Sequence, residues 1–273
     1  MTQTCDTCAH GAGEGSIRFC QVKNGAAFDM NTRCDWWTEP GVAICGLATA
    51  TIEWEGLTYQ MQPNESFLLE DTQKELAKYS GPLNVVVDVG AHAGMFALQA
   101  VQRGAYVYAV EPSPMNLTML RRNVKNNELG HRVEIIEKAV ASESDRLVPL
   151  RLGSPFPGQR STAFKASKIS ECDVETISLS DLLSGVILEH GRVDFLKIDI
   201  EGGEYEIASG DPVPELSECR YISISLHLPS NKEYFDFSDG RTDDEYHADM
   251  IGWMKRSGVA NARIDGFMIT GTN

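Results

Sequence analysis

Four places in the chain carry residues suited to chemistry. The first is Val85-Val86-Val87-Asp88-Val89-Gly90-Ala91-His92-Ala93-Gly94. A β-branched run ends in Asp-x-Gly-x-x-x-Gly, and a helical pattern follows at once. Strand, glycine turn and helix together present backbone amides and a helix N-terminus to a nucleotide-like ligand. The spacing differs from Gly-x-Gly-x-x-Gly of dinucleotide enzymes. The acid inside the turn favours a ligand with a cation, and S-adenosylmethionine is the candidate. Gly90 would let the backbone turn sharply and approach the ligand, and Gly94 would let the helix start close to the sheet. The next strand ends at Glu111-Pro112, placed to accept hydrogen bonds from both ribose hydroxyls. NAD uses the same ribose logic and is the runner-up. The third strand leads to Lys138-Ala139-Val140-Ala141, where Ala139 and Val140 are expected to meet adenine. His92 completes the expected cofactor loop.

The second place is Val193-Asp194-Phe195-Leu196-Lys197-Ile198-Asp199-Ile200-Glu201-Gly202-Gly203-Glu204. A central strand normally reads as continuous apolar residues. Here Lys197, Asp199 and Glu201 share one strand parity and so point the same way. Buried charges are costly unless paired or functional, and such clusters concentrate at sites. Gly202-Gly203 opens the chain for Glu204 to point back into the cleft. The third place is His227, ending the strand Tyr221–His227. A parallel neighbouring strand sets it near Asp199 and Glu201. It can take a proton from a substrate hydroxyl, with a carboxylate fixing its tautomer. Alternatively, Asp199, Glu201 and His227 hold a divalent cation that orients a diol. Asp199 also belongs to the expected cofactor contacts.

The fourth place is Cys5-x2-Cys8-x11-Cys20-x13-Cys34. In a reducing compartment such a cluster is more often a metal site than a disulfide framework. Four thiolates suit Zn, or alternatively a [4Fe–4S] cluster. Three closely spaced cysteines are absent, so radical S-adenosylmethionine chemistry is rejected. Trp36 and Trp37 follow and can shield the ion. The segment resembles small cysteine modules ending in Cys-Asp-x-Trp. Its expected role is structural, or docking of a protein partner. Cys45, Cys172 and Cys219 read as ordinary buried thiols.

The elements that position these residues follow from patterning. Glu55-Gly56 reads as a hairpin turn between Ala50–Trp54 and Leu57–Met61. Residues 65–79 read as a helix. From residue 84, strands and helices alternate, which means a mostly parallel sheet covered on both faces. Residues 145–178 break the rhythm and read as a β insertion, and Ser180 can cap a helix over 181–189. The chain has 273 residues, 42% of them hydrophobic, enough for one substantial domain and a small appendage. Net charge is −15, a surface that repels phosphate backbones and anionic membranes. No nucleic acid or membrane partner is therefore expected. A polar start and the lack of a long apolar run give an expectation of a cytoplasmic protein.

Taken together, Val87–Gly94, Val110-Glu111-Pro112-Ser113, Val174–Leu183 and above all Val193–Glu204 resemble the FkbM-type methyltransferases of the S-adenosylmethionine-dependent Rossmann-like class. The resemblance covers roughly residues 80–230. It implies an α/β Rossmann-like methyltransferase fold: a mostly parallel central sheet with helices on both faces, plus the small cysteine module. It implies methyl transfer to a hydroxyl of a sugar or natural-product small molecule, with His227, Lys197, Asp199 and Glu201 in catalytic roles. The family often has Glu where this chain has Ser225. The expected division is a four-cysteine metal-binding module over 1–40, strands and a helix over 41–80 leading into the core, and the methyltransferase domain over 81–273. A non-catalytic adaptor built on the same fold is the second reading, and an NAD-dependent oxidoreductase the third. Pocket walls are expected from 145–178 and 229–245.

Overall fold

A computed structural model describes residues 49–62, 65–152, 160–161, 170–227, 240–266 and 268–273, with short paired strands at 11–12, 19–20, 37–38 and 42–43. Cys5, Cys8, Cys34 and Cys45 lie outside the described residues. Cys20 lies in a two-residue strand whose side chains are not described. Residues 228–239, most of the second expected wall, also lie outside.

The described elements are β1 (Ala50–Trp54), β2 (Leu57–Met61), α1 (Phe67–Ala77), β3 (Val85–Val89), α2 (Met95–Gln102), β4 (Tyr106–Val110), α3 (Pro114–Asn126), β5 (Val133–Ile136), β6 (Ala139–Ala141), β7 (Leu147–Leu152), β8 (Ser170–Ser178), α4 (Leu179–His190), β9 (Val193–Ile198), α5 (Glu204–Ser209), β10 (Cys219–Ser225), α6 (Asp243–Arg256), β11 (Arg263–Asp265) and β12 (Met268–Thr272).

The seven-stranded sheet runs β11-β12-β10-β9-β3-β4-β5. Strands β10, β9, β3, β4 and β5 are parallel, and β11 and β12 are antiparallel. From β3 the chain winds outward to β4 and β5, then returns to β9 on the other side. The gap between β3 and β9 is therefore the switch point where open α/β sheets bind ligands. Helices cover both faces, so β3 is buried along its whole length and reads VVVDV rather than alternating. Val86, Phe195 and Tyr221 face a core with α1, α2 and α3. Val87, Leu196 and Ile222 face a second core with α4 and α6.

The β1–β2 hairpin turns through Glu55 (φ 49°) and Gly56 (φ 81°), as a two-residue hairpin requires. Residues 50–80 do more than lead into the domain. Leu57, Tyr59, Met61, Leu69 and Leu76 belong to the same core as Val86 and Phe96. Asn123 of α3 ties the hairpin down. Its carboxamide accepts from Gln60 N (2.6 Å) and donates to Gln60 O (2.9 Å) and Ala93 O (2.8 Å).

The expected β insertion exists but starts earlier. β8 pairs antiparallel with β7 and parallel with β6, so Ala139 and Val140 belong to this small second sheet. The cap of α4 also differs from expectation. β8 runs straight into the helix, and Ser178, not Ser180, accepts the Asp181 N–H (3.0 Å). The Ser180 hydroxyl donates to Glu215 instead. Cys219 is buried as expected, whereas Cys172 is only half-buried. Among the described residues, no helix is long and apolar enough to cross a membrane.

Candidate active site

A cavity of about 260 Å³ lies at the carboxyl ends of β3, β4 and β9. Asp88, Gly90, His92, Glu111, Pro112, Ala139, Val140, Lys197, Asp199 and Glu201 all line it. Sequence reasoning had named each of these. It does not assign to the site Glu65, Phe67, Leu68 and Thr72, which line the cavity from α1 and its approach. Nothing in that segment distinguishes it from an ordinary amphipathic helix. Asn116 was also missed. Its signal was legible: Ser113 caps α3, and Asn116 sits three residues later, facing back.

Both glycines of the turn have left-handed backbones, and each leaves room for a neighbour the sequence does not show. A Cβ on Gly90 would lie 1.9 Å from the Asp199 carbonyl oxygen. Its missing side chain lets the loops after β3 and β9 cross at the switch point, and its φ of 83° needs glycine as well. A Cβ on Gly94 would meet Leu120 Cδ1 at 2.6 Å. Gly94 therefore leaves room for Leu120 of α3 at the start of α2, which packs on β3 and β4.

Glu111 is almost fully buried and held rigidly. One carboxylate oxygen accepts from His92 N (2.9 Å), the other from Ser113 N (2.8 Å) and Asn116 Nδ2 (3.2 Å). His92 itself adopts φ 54°, and its ring lies 3.6 Å from Glu65. That left-handed backbone is what turns its amide onto Glu111.

At the other end of the cavity, charges run across the sheet. Lys197 registers beside Asp88 on one side and Ser223 on the other. Its ammonium lies 3.5 Å from Asp88 and 3.4 Å from Asp199. Burial alone would push the ammonium down, but Asp199, Asp88 and Glu75 hold it above the usual lysine range. Burial pushes the Asp88 carboxyl up, partly opposed by Lys197. Burial also works against ionised Asp199, yet Lys197 and His227 hold that carboxyl below its usual range. The cation facing Asp88 is thus the protein's own lysine. Glu75, from α1, was not singled out by sequence. Burial raises its carboxyl to about 7, against the pull of Lys197.

His227 joins the same end. Strand parity carries only as far as Asp199, because β9 ends at Ile198 and Glu201 turns through φ 56°. That turn, not alternation, brings Glu201 Oε2 to 3.3 Å from His227 Nε2. Asp199 Oδ1 lies 3.7 Å from the same nitrogen. Glu204 is buried at the start of α5. It accepts from Ile200 N and Gly202 N (2.8 Å each), and His227 Nδ1 donates to it (3.0 Å). Burial would lower the imidazole, but Glu204, Glu201 and Asp199 raise it to about 10. At neutral pH it is an imidazolium.

A buried carboxylate held by backbone amides and a charged strand end thus share one cavity at a switch point. A family model, the methyltransferase FkbM domain, matches residues 88–259. The chain belongs to this family. The family match begins at Asp88, so α1 and the hairpin lie before it. Methyltransferase sdnD of Sordaria araneosa is 27% identical over 174 residues, 53% of this chain and 67% of that protein. The 31-O-demethyl-FK506 methyltransferase FkbM of Streptomyces tacrolimicus is 25% identical over 173 residues, 54% of this chain and 66% of that one. The matches thus span about two thirds of either relative. A putative transferase from Pyrococcus horikoshii aligns in structure with TM-score 0.42 at 14% identity, covering 83% of this chain and 71% of that one.

Proposed function

We propose that this FkbM-family methyltransferase uses S-adenosylmethionine to methylate a hydroxyl of a sugar or another natural-product small molecule. The observation that carries the reading is the fixed Glu111 carboxylate in the wall of the switch-point cavity. Glu111 receives the ribose hydroxyls. Ala139 and Val140, with Leu150 behind them, take the adenine face, and Pro112 closes that side. The turn from Gly90 through His92 to Gly94 supports the middle of the cofactor. Asp199, backed by Lys197 and Asp88, faces the amino-acid end. The bound cofactor supplies an already activated methyl group on sulfur.

The chain's residues then have two tasks, alignment and proton uptake. The acceptor hydroxyl lies against Asp199, Glu201 and His227. Its oxygen forms the new bond to the methyl carbon as the carbon–sulfur bond breaks. The electron pair of that bond stays on sulfur, which leaves as a thioether. The hydroxyl proton passes to this carboxylate–imidazole group. Because His227 is cationic in the cofactor-free site, Glu201 is the member able to accept a proton first. At 1–40, the four thiolates of Cys5, Cys8, Cys20 and Cys34 hold zinc, or a [4Fe–4S] cluster, and supply a docking surface for a protein partner. Metal content unchanged by Cys8→Ser would contradict that part.

The test uses methyl-labelled cofactor with a pool of sugars, glycosides and polyols. Label in an alkali-stable, volatile-amine-free product is expected, as an O-methyl ether requires. Label released by mild alkali, or held on nitrogen, would contradict the hydroxyl acceptor. Normal turnover in Glu201→Gln would remove Glu201 from proton uptake.

A further inference from the structure

We propose that Asp199, Glu201 and His227 form a site for one hard divalent cation, of the magnesium or manganese class, which grips an acceptor bearing two adjacent oxygens. The proposal rests on the function above and narrows its substrate class to vicinal diols and α-hydroxy carbonyl compounds.

One ligand atom from each of the three side chains falls within 4.8 Å of the others. His227 Nε2 lies 3.3 Å from Glu201 Oε2 and 3.7 Å from Asp199 Oδ1. Ligands at about 2.1 Å around such an ion sit roughly 3 Å apart, so small side-chain movements complete the shell. The surrounding groups assign each atom its role. Lys197 pairs with Asp199 Oδ2, which turns Oδ1 toward His227. Glu204 takes two backbone amides and the Nδ1 proton of His227. That bond fixes the ring with Nε2 toward the other two ligands, where the cation takes the place of the Nε2 proton, which leaves to solvent. A carboxylate behind a ligating histidine is the usual support of a metal-bound imidazole. Glu204 is thereby a positioning residue, not a ligand.

The donor set selects the ion. Two carboxylates and one imidazole without thiolate favour a hard, oxygen-seeking cation. Three protein ligands leave positions open on the cavity side, where Asp199 and Glu201 form the lining. Two neighbouring oxygens of an acceptor fit those positions. An ion there lowers the pKa of the bound hydroxyl and holds its oxygen toward the methyl carbon. The bonds made and broken are those given above, and the released proton passes, as there, to Glu201, through the carboxylate oxygen that does not hold the cation. Local charge agrees: Lys197 lies beside Asp88 and Asp199, and His227 beside Asp199, Glu201 and Glu204, so acids outnumber cations in this cluster of described residues.

The test is Mn2+ titration of the chelator-treated full chain, read from the free-ion electron paramagnetic resonance signal. S-adenosylhomocysteine binding is measured in parallel by calorimetry. The wild type should bind Mn2+ at one site that weakens about tenfold or more in Glu201→Gln and in His227→Ala. That site should survive in Glu111→Gln and be displaced by excess Mg2+. Weaker Mn2+ binding in Glu204→Gln, with unchanged S-adenosylhomocysteine binding, would support its positioning role. Equal Mn2+ uptake by wild type and Glu201→Gln, both still binding S-adenosylhomocysteine, would overturn the cation site and leave the cofactor reading standing. Mn2+ binding lost in the variants, without any S-adenosylhomocysteine binding, would support the site and overturn the cofactor reading.

Discussion

At Gly90, a hydrogen in place of a side chain decides whether two loops can cross. The Asp199 carbonyl occupies the space a Cβ would need. Gly104 offers a control, because its φ of 96° is equally left-handed but nothing lies within 4 Å. Gly104→Ala should cost about 1–2 kcal/mol, the backbone term alone. Gly90→Ala should cost clearly more and disturb the cavity too. Equal losses in urea unfolding would contradict the crossing. The chemistry-bearing residues were legible because their types conflict with their places. An Asp within a valine run and a Lys-x-Asp in a core strand demand an explanation from sequence alone. The left-handed turn at Glu201 was not legible, since no residue type announces it. Extending strand parity through it reached the right neighbourhood by the wrong route. The glycines were found for a sound reason, but what fills the space beside them is set by tertiary packing.

Among the elements, the β1–β2 hairpin and α3 are joined chiefly through asparagines. Asn123 satisfies both backbone groups of Gln60 and reaches Ala93 in the glycine turn. Asn127 makes the same pair of hydrogen bonds to Thr58, accepting from its N–H and donating to its carbonyl. Asn123→Ala would leave buried backbone groups without partners. It should lower unfolding free energy by about 2–3 kcal/mol. A loss under about 0.5 kcal/mol, the range of surface substitutions, would show that the hairpin is held some other way. The alternation of strands and helices was legible because both periods are clear and the connections are short. The small sheet was less so. Its first strand, β6, is three residues long, and its partner β8 lies across a long insertion. Ser178 lost the cap assignment to Ser180 because both serines precede an apolar run. Only the end of β8 decides between them.

For the whole molecule, the segment before the family match is part of the core. Glu75 of α1 lies buried over the Lys197 row of the central sheet, so the protein's stability should record its ionisation. Free of the fold, Glu75 ionises near 4.5; in the fold it does so near 7. Below the lower value both states hold the proton. Between the two, only the folded state holds it, so this group's contribution falls as pH rises. The fall should total about 3 kcal/mol by pH 8. Glu75→Gln should therefore stabilise the protein at pH 8 relative to wild type, and far less at pH 5. The same difference at both pH values would contradict this. No sequence pattern marked Glu75, because an acid in a helical pattern reads as a solvent-facing residue until the helix is packed.

Whether the Glu111 cavity receives the cofactor is decided by calorimetric titration of the full chain with S-adenosylhomocysteine, in wild type and Glu111→Gln. Micromolar binding is expected in the wild type, with affinity falling about tenfold or more in the variant as a charge-assisted hydrogen bond is lost. Absence of binding by the folded wild type, or equal affinity in both, would contradict a cofactor site at Glu111.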